Sequence, residues 1–347
     1  MSGFSENEIR PAALLNEYLR LSAEDALNLA DIPGALAKRW CPGCGGQKQR
    51  PAFVKNGFPL VHCVDCHTLY ASPSPTTETL SAFYRDSPSS NYWASVFFPA
   101  VAEARRASIF TPRAARIAAL IEAHSSQHPD DQLFDVGAGA GLFLEEFKAI
   151  SREAQVAAIE PGALHAKNLR RQVARVFEGY AADAAQDPEW AGKAACVTCF
   201  EVIEHIPETV DLLQALRQLT RPGGLIVLSG LSSDGFDIQT LGVHSKAISP
   251  PHHLTFLSMK GVKAAVNRAG LNLIDLFTPG ELDVDIVRNA ALEDPSRIED
   301  VTLRKLVLGD DAQARTALQE KLKQTQKSSH MWIVAARPTT DRDAAST

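Results

Sequence analysis

Several absences narrow what this 347-residue chain can be. No apolar run approaches the ~20 residues a helix needs to cross a bilayer, so no membrane span is expected. Positive charge is not in excess: 35 Lys and Arg stand against 41 Asp and Glu, for a net charge of −6. That balance argues against a general nucleic-acid binder. No internal repeat and no secretory leader are evident, which points to a reducing, cytoplasmic setting. Cysteine is scarce, with six in all, yet all six fall in three Cys-x-x-Cys pairs.

Two of those pairs belong together. Cys41-Pro42-Gly43-Cys44 and Cys63-Val64-Asp65-Cys66 have eighteen residues between them. Two such knuckles supply four thiolates to one tetrahedral zinc, as in a zinc ribbon. Four cysteines leave no open coordination position, so the predicted metal is structural; the competing reading is a pair of disulfides. Phe53-Val54 and Leu60-Val61 can pair as ribbon strands across an Asn56-Gly57 turn. The third pair, Cys196 and Cys199, lies in a strand-like run where residues three apart face opposite ways, so these read as core thiols.

The richest segment is Phe134-Asp135-Val136-Gly137-Ala138-Gly139-Ala140-Gly141. A short apolar strand runs into alternate glycines, followed by a helix with Leu142, Phe143, Leu144, Phe147 and Ile150 on its apolar face. Glycines suit a sharp turn that must approach a ligand closely, and a helix N-terminus offers free N–H groups. The next apolar run, Val156 to Ile159, ends at Glu160, placed to accept hydrogen bonds from ribose hydroxyls. The spacing differs from the G-x-G-x-x-G of dinucleotide sites.

This D-x-G-x-G-x-G pattern resembles motif I of the class I S-adenosylmethionine-dependent methyltransferases. Further along, Ala195–Phe200 runs into Glu201-Val202-Ile203-Glu204-His205-Ile206-Pro207, similar to the segment after the family's fourth strand. A helical stretch from Val210 to Leu219, an Arg221-Pro222-Gly223-Gly224 turn and the strand Leu225–Leu228 look like the family's approach to strand five. The resemblance spans residues 130–235. It implies an α/β fold: a Rossmann-like seven-stranded sheet with an antiparallel last strand. Leu271–Phe277 and Met331–Ala336 then read as strands six and seven. Asp135, Gly137, Ala138, Gly139, Gly141, Glu160, Pro161, Asp183, Phe200 and Glu201 fall at positions that bind S-adenosylmethionine in the family, with Asp183 near the adenine.

Methyl transfer usually requires a base to take a proton from the acceptor. His205 follows strand four. His252 and His253 lie in Pro250-Pro251-His252-His253-Leu254-Thr255-Phe256-Leu257-Ser258, which resembles a segment of sugar C-methyltransferases that also carry an N-terminal zinc-binding region. There the second residue of the pair, matching His253, is regarded as the base, whereas the first is often Glu. The resemblance implies a small-molecule acceptor such as a sugar or sugar nucleotide, methylated on carbon or oxygen. A zinc-ribbon rRNA or tRNA methyltransferase and a non-catalytic cofactor-binding scaffold are the alternatives.

The expected organisation is a helical segment at 1–36, the zinc ribbon at 37–75, a helical linker or lid at 76–128 and the methyltransferase domain at 129–337. A helical insertion is placed at 281–328 and a frayed tail at 338–347. Arg105, Arg106, Arg113 and Arg116 sit at helical spacing and are expected on a solvated face; clamping a diphosphate is the alternative. Tyr92, Trp93, Phe97 and Phe98 either pack or stack on an acceptor. Glu281, Asp283 and Asp285 are further acidic candidates.

Overall fold

The computed structural model describes residues 5–124 and 131–340. The predicted boundary at 128/129, the first four residues and tail residues 341–347 lie outside that range. Seven strands form the central sheet: β1 (Gln132–Val136), β2 (Gln155–Glu160), β3 (Arg175–Glu178), β4 (Ala194–Phe200), β5 (Thr220–Leu231), β6 (Asn272–Phe277) and β7 (His330–Ala336). Their order is β6-β7-β5-β4-β1-β2-β3. All neighbours from β5 to β3 run parallel, while β7 inserts antiparallel between β5 and β6. This is the mixed sheet anticipated from the sequence.

The apolar strands are covered on both faces, as a parallel sheet requires. On one face Phe134, Val197 and Cys199 pack with Leu213, Leu216, Val262 and Val266 from helices Thr209–Leu219 and Met259–Arg268. On the other, Cys196, Leu133 and Val227 meet Phe143, Leu144 and Phe147 from helix Leu142–Ile150, and Ile117 from helix Thr111–His124. Cys196 and Cys199 therefore sit in different cores, as alternation along a strand demands. Ile150, expected on the apolar face of its helix, is instead exposed in the last turn. The Arg221–Gly224 turn is absorbed into a longer β5, whose pairing with β4 slips between Thr220 and Leu225 and where Gly223 has φ +75°.

The ribbon hairpin forms as read. Gln49–Lys55 pairs antiparallel with Phe58–Cys63, with Phe53 opposite Leu60. Asn56 (φ 48°) and Gly57 (φ 79°) are both left-handed, the conformation a two-residue hairpin turn needs. A third strand, Leu69–Ala71, adds to Phe58–Cys63. The fourth comes from the far end of the chain: Thr255 and Phe256 pair with Tyr70 and Leu69. Ribbon and core also share one apolar cluster, in which Phe58, Leu60, Leu69 and Ala71 pack against Ile248, Leu254 and Phe256.

Helices dominate the remainder. Ala12–Ala30 is one helix, and Pro88 to His124 is helical almost throughout, with wider turns at Trp93–Phe97 and Arg106–Phe110. Between β6 and β7, helices Asp283–Glu293, Val301–Leu308 and Ala312–Gln324 form a small core shared with Phe236 and Leu241 of the helix that follows β5. No helix among the described residues is long and apolar enough to cross a membrane.

Phe256 is fully buried at the seam between ribbon and core. Phe256→Ala should cost about 3–5 kcal/mol of stability, the usual range for emptying such a site, measured by urea denaturation. A loss below about 1 kcal/mol would mean that the seam contributes little to the folded state.

Candidate active site

The loop after β1 is shaped by its glycines. Gly137 has φ +72°, and a Cβ there would stand 2.6 Å from Val202 Cγ2. Gly139 has φ +53° and faces open space, whereas Gly141 (φ +82°) caps helix Leu142–Ile150. Ala138 and Ala140 lie between them, half-buried. Glu160 ends β2 directly alongside: its carboxylate accepts the Gly139 N–H at 2.9 Å and the Gly162 N–H at 2.8 Å. Each oxygen keeps a lone pair. Open space at Gly139 next to a buried carboxylate is a cradle of the kind a nucleoside sugar requires.

The other predicted cofactor positions divide. Asp135 lies beneath the loop at 3% exposure and accepts a 2.7 Å hydrogen bond from Thr198. Burial pushes its carboxyl up to about 7, against the opposing pull of Thr198 and Arg113. Pro161 and Asp183 are exposed, and Asp183 caps its own short helix at the Tyr180 N–H. Phe200 packs edge-on to Phe143 under the Arg113 guanidinium.

Glu201 opens the segment after β4 in a left-handed conformation, φ 54°. Its carboxylate accepts from His330 Nε2 at 2.8 Å, from the Ser229 hydroxyl and from Arg113 at 3.3 Å. Burial would raise its pKa, but His330 and Arg113 outweigh that and hold it well below the usual carboxylate range. Three residues on, Glu204 is 1% exposed and its Oε2 has no partner. Burial, followed by the Glu201 charge, pushes this carboxyl well above its ordinary value. One acid is thus held ionised and its neighbour neutral.

The three histidines have distinct surroundings. His252 is wedged among Tyr18, Phe83 and Tyr84, with its Nε2 at 2.8 Å from the Ser89 hydroxyl. His253 Nδ1 lies 2.6 Å from the Ala247 carbonyl oxygen. A carbonyl can only accept, so Nδ1 carries the hydrogen and Nε2 is left with a free lone pair. His205 Nδ1 is 2.7 Å from the Tyr84 hydroxyl, which donates to the His252 carbonyl at 3.1 Å. With that phenolic hydrogen committed, His205 Nδ1 is the donor and its Nε2 is also unprotonated. The His205 and His253 rings meet edge to face at 4.7 Å. Burial pulls His253 down to about 4 and, with His253 nearby, His205 down to about 3.

Glu204 was not singled out in the sequence, although the Glu-x-x-Glu-His spacing around the turn was a usable signal. With His205 and His253 it forms a set whose ligand atoms lie within 4.8 Å of one another. The arginines depart from expectation. Arg113 is buried, stacked over Phe200 and Trp332, because helix Thr111–His124 packs on the sheet. Arg105 lies over Trp93 and Phe98, its Nε buried without a partner. Arg106, paired with Glu145 and Glu146, fits a solvated face, while Arg116, exposed overall, lays its guanidinium over Phe277 and Trp332. Trp93 stacks on Phe97 at 4.4 Å as packing. Glu281 pairs with Lys323, Asp283 is buried among Gln319, Ser328 and Ser329, and Asp285 accepts the Glu6 N–H.

In the ribbon, Cys41 and Cys66 sulfurs stand 3.4 Å apart and Cys44 and Cys63 sulfurs 3.5 Å apart, all four lying within 4.8 Å of one another. They are free thiols and not disulfides. A tetrahedral site with Zn–S near 2.3 Å has sulfurs about 3.8 Å apart, so the four fit zinc.

Residues 106–276 match a family model described as a methyltransferase domain. A ubiquinone biosynthesis O-methyltransferase of Xanthomonas axonopodis pv. citri (strain 306) is 28% identical over 153 residues, 42% of this chain and 64% of that protein. The same-named protein of Xanthomonas campestris pv. campestris (strain B100) is 26% identical over 156 residues, 43% of this chain and 65% of that one. The match thus spans just under two thirds of these relatives' length. Among solved structures, geranyl diphosphate C-methyltransferase from Streptomyces coelicolor A3(2) aligns with a TM-score of 0.44 at 13% identity, covering 68% of this chain and 84% of that one. A SAM-dependent methyltransferase from Archaeoglobus fulgidus aligns with a TM-score of 0.45 at 14% identity, covering 69% and 99%.

Gly137→Ala should be destabilising by about 1–3 kcal/mol, since it adds left-handed strain to a collision with Val202. Thermal unfolding checks this; an unchanged midpoint would mean that the loop can relax away from Val202.

Proposed function

From the premise that this chain carries a class I S-adenosylmethionine-dependent methyltransferase domain, we propose that it methylates a small-molecule acceptor with His253 as the base. The observation that carries the reading is the His253 tautomer: Nδ1–H is committed to the Ala247 carbonyl, leaving Nε2 basic. S-adenosylmethionine, when bound, supplies an electrophilic methyl group. Gly139 leaves room for it, and Glu160 offers lone pairs to the ribose hydroxyls. His253 Nε2 takes the acceptor's proton, from a hydroxyl or from a carbon next to a carbonyl. His205 and neutral Glu204 border the same space and can hydrogen-bond a polar acceptor. The unpartnered Glu204 Oε2 favours an oxygen-rich molecule such as a sugar or sugar nucleotide, in keeping with the resemblance of residues 250–258 to sugar C-methyltransferases. The acidic balance of the chain weighs against an RNA target.

We assign a structural zinc to Cys41, Cys44, Cys63 and Cys66. One zinc per chain should be found by atomic spectroscopy, and Cys63→Ser should lower both zinc content and the unfolding midpoint. A zinc-free native protein of equal stability would remove the assignment.

His253→Asn should reduce kcat by about 10²–10⁴-fold, the range for losing a general base, while S-adenosylhomocysteine binding by calorimetry stays within about twofold. Unchanged turnover with labelled S-adenosylmethionine and a nucleoside-diphosphate keto-sugar would remove His253 from the mechanism. Because burial holds His253 near 4, the base is unprotonated across the neutral range. The acid limb of kcat/KM should fall near pH 4; a limb near pH 6.5 would indicate a solvated imidazole.

A second reading has an observation of its own. Glu204, His205 and His253 can converge on a divalent cation, which would ionise Glu204 and activate an acceptor oxygen. Chelation that leaves the ribbon zinc in place would then abolish turnover, and added Mg²⁺ or Mn²⁺ would restore it. Full activity in the chelator leaves the base reading standing alone.

A further inference from the structure

The acting nitrogen of His253 is set by a backbone carbonyl, and that carbonyl belongs to a loop with little regular structure of its own. Residues 245–254 follow a single turn of 3-10 helix, Gly242–His244, and precede the two-residue strand Thr255–Phe256. Internal hydrogen bonds are confined to short turns, such as Ile248 N–H to the Ser245 carbonyl and His253 N–H to the Ser249 carbonyl. Such a segment needs outside support if Ala247 is to stay 2.6 Å from His253 Nδ1.

The support comes from the tip of the ribbon hairpin. Lys55, the last residue of its strand, donates from Nζ to the Ser245 carbonyl. Asn56, the first residue of the turn, donates from Nδ2 to the Pro250 carbonyl at 2.9 Å. These two carbonyls flank Ala247, two residues before it and three after. Ala247 and Ile248 also lie on the apolar cluster built around Phe58 and Leu60 of the same hairpin. At the loop's other end, Leu254 receives the Ala71 N–H on its carbonyl at 2.8 Å and gives its own N–H to the Glu204 carbonyl at 2.8 Å. His253 is thus the residue next to a backbone unit shared between ribbon and core.

We propose that Lys55 and Asn56 are positioning residues for His253: the hairpin tip grips the 245–250 loop on both sides of Ala247 and so fixes which imidazole nitrogen faces the acceptor. Their side chains act through two backbone carbonyls, and the sequence separation, 190 residues for Lys55 and 194 for Asn56, makes the contact one that only the folded ribbon provides. The requirement for a left-handed residue ahead of Gly57 explains an asparagine at the turn, and the loop beneath gives its amide a partner. The ribbon is on this view part of the catalytic apparatus through geometry, with the metal knuckles at the opposite end of the hairpin from the residues that reach the loop.

The inference rests on His253 being the acting residue, as base or as cation ligand, and its test separates the two claims. Lys55→Met removes the donor and keeps the length of the side chain; Asn56→Gly removes the amide and tolerates the positive φ. In the full-length double variant with its zinc retained, the ¹⁵N shifts of the His253 ring should change from the Nδ1–H form to a mixture of both tautomers. Turnover should fall by about tenfold or more, as expected for a displaced reacting group, with S-adenosylhomocysteine affinity within about twofold. Lys55→Arg, which keeps a donor in place, should hold the native tautomer. A double variant that folds, keeps the Nδ1–H form and turns over within twofold of the parent overturns the positioning claim. If the tautomer shifts as expected but His253→Asn is fully active, the positioning claim stands and the reading of His253 as the acting residue fails.

Discussion

The backbone of Leu254 is the constraint on which the arrangement depends. Its carbonyl belongs to the ribbon sheet and its N–H to the turn after β4, so one residue, through the two peptide units on either side of its Cα, fixes the distance between two bodies that sequence would treat as separate. A buried amide left unpaired costs on the order of a hydrogen bond's desolvation, which gives this double commitment its force. The pairing of Thr255 and Phe256 with Tyr70 and Leu69, and the Thr255 hydroxyl on the Ile206 carbonyl at 3.0 Å, extend the same bridge by two residues. The histidines on either side of it inherit a fixed setting.

Charge around the turn after β4 is arranged by solvation as much as by pairing. Glu201 has three donors and stays ionised; Glu204, a turn further and deeper, has none on Oε2 and is favoured in its neutral form. The imidazoles of His205, His252 and His253 are all held below their ordinary value by burial. A free carboxylate and a protonated imidazole would each be expensive in such a place. A cluster of neutral groups with spare lone pairs is the cheaper state and is well suited to accepting a proton or a cation.

Much of this was legible in the sequence. The β1 loop, Glu160, the four ribbon cysteines and the Asn56-Gly57 turn all carry their geometry in residue type and spacing, because glycine, cysteine and asparagine are chosen there for backbone or ligand reasons. Strands β6 and β7 were visible as apolar runs. What could not be read are contacts that depend on distant pairing. Thr255-Phe256 has no strand signal, since two residues make no pattern. Arg113 looked like a solvent-facing charge because helical spacing does not say which face meets the sheet. Asn56 read as a turn residue and Lys55 carried no signal, because the loop they hold lies about 190 residues away.

The position of His330 bears on how the protein comes to be made. It begins β7, lies 129 residues after Glu201 and is one of three side chains that hold that carboxylate. During synthesis, β4 and the turn that follows it leave the ribosome long before β7 exists to slide between β5 and β6. Until it does, Glu201 lacks the 2.8 Å hydrogen bond from His330 and the acidic turn has reason to remain solvated. Completion of this turn is thereby tied to arrival of the final strand, and a nascent chain stopped in the insertion after β6 would leave the Glu201 carboxylate short of one of its three side-chain donors.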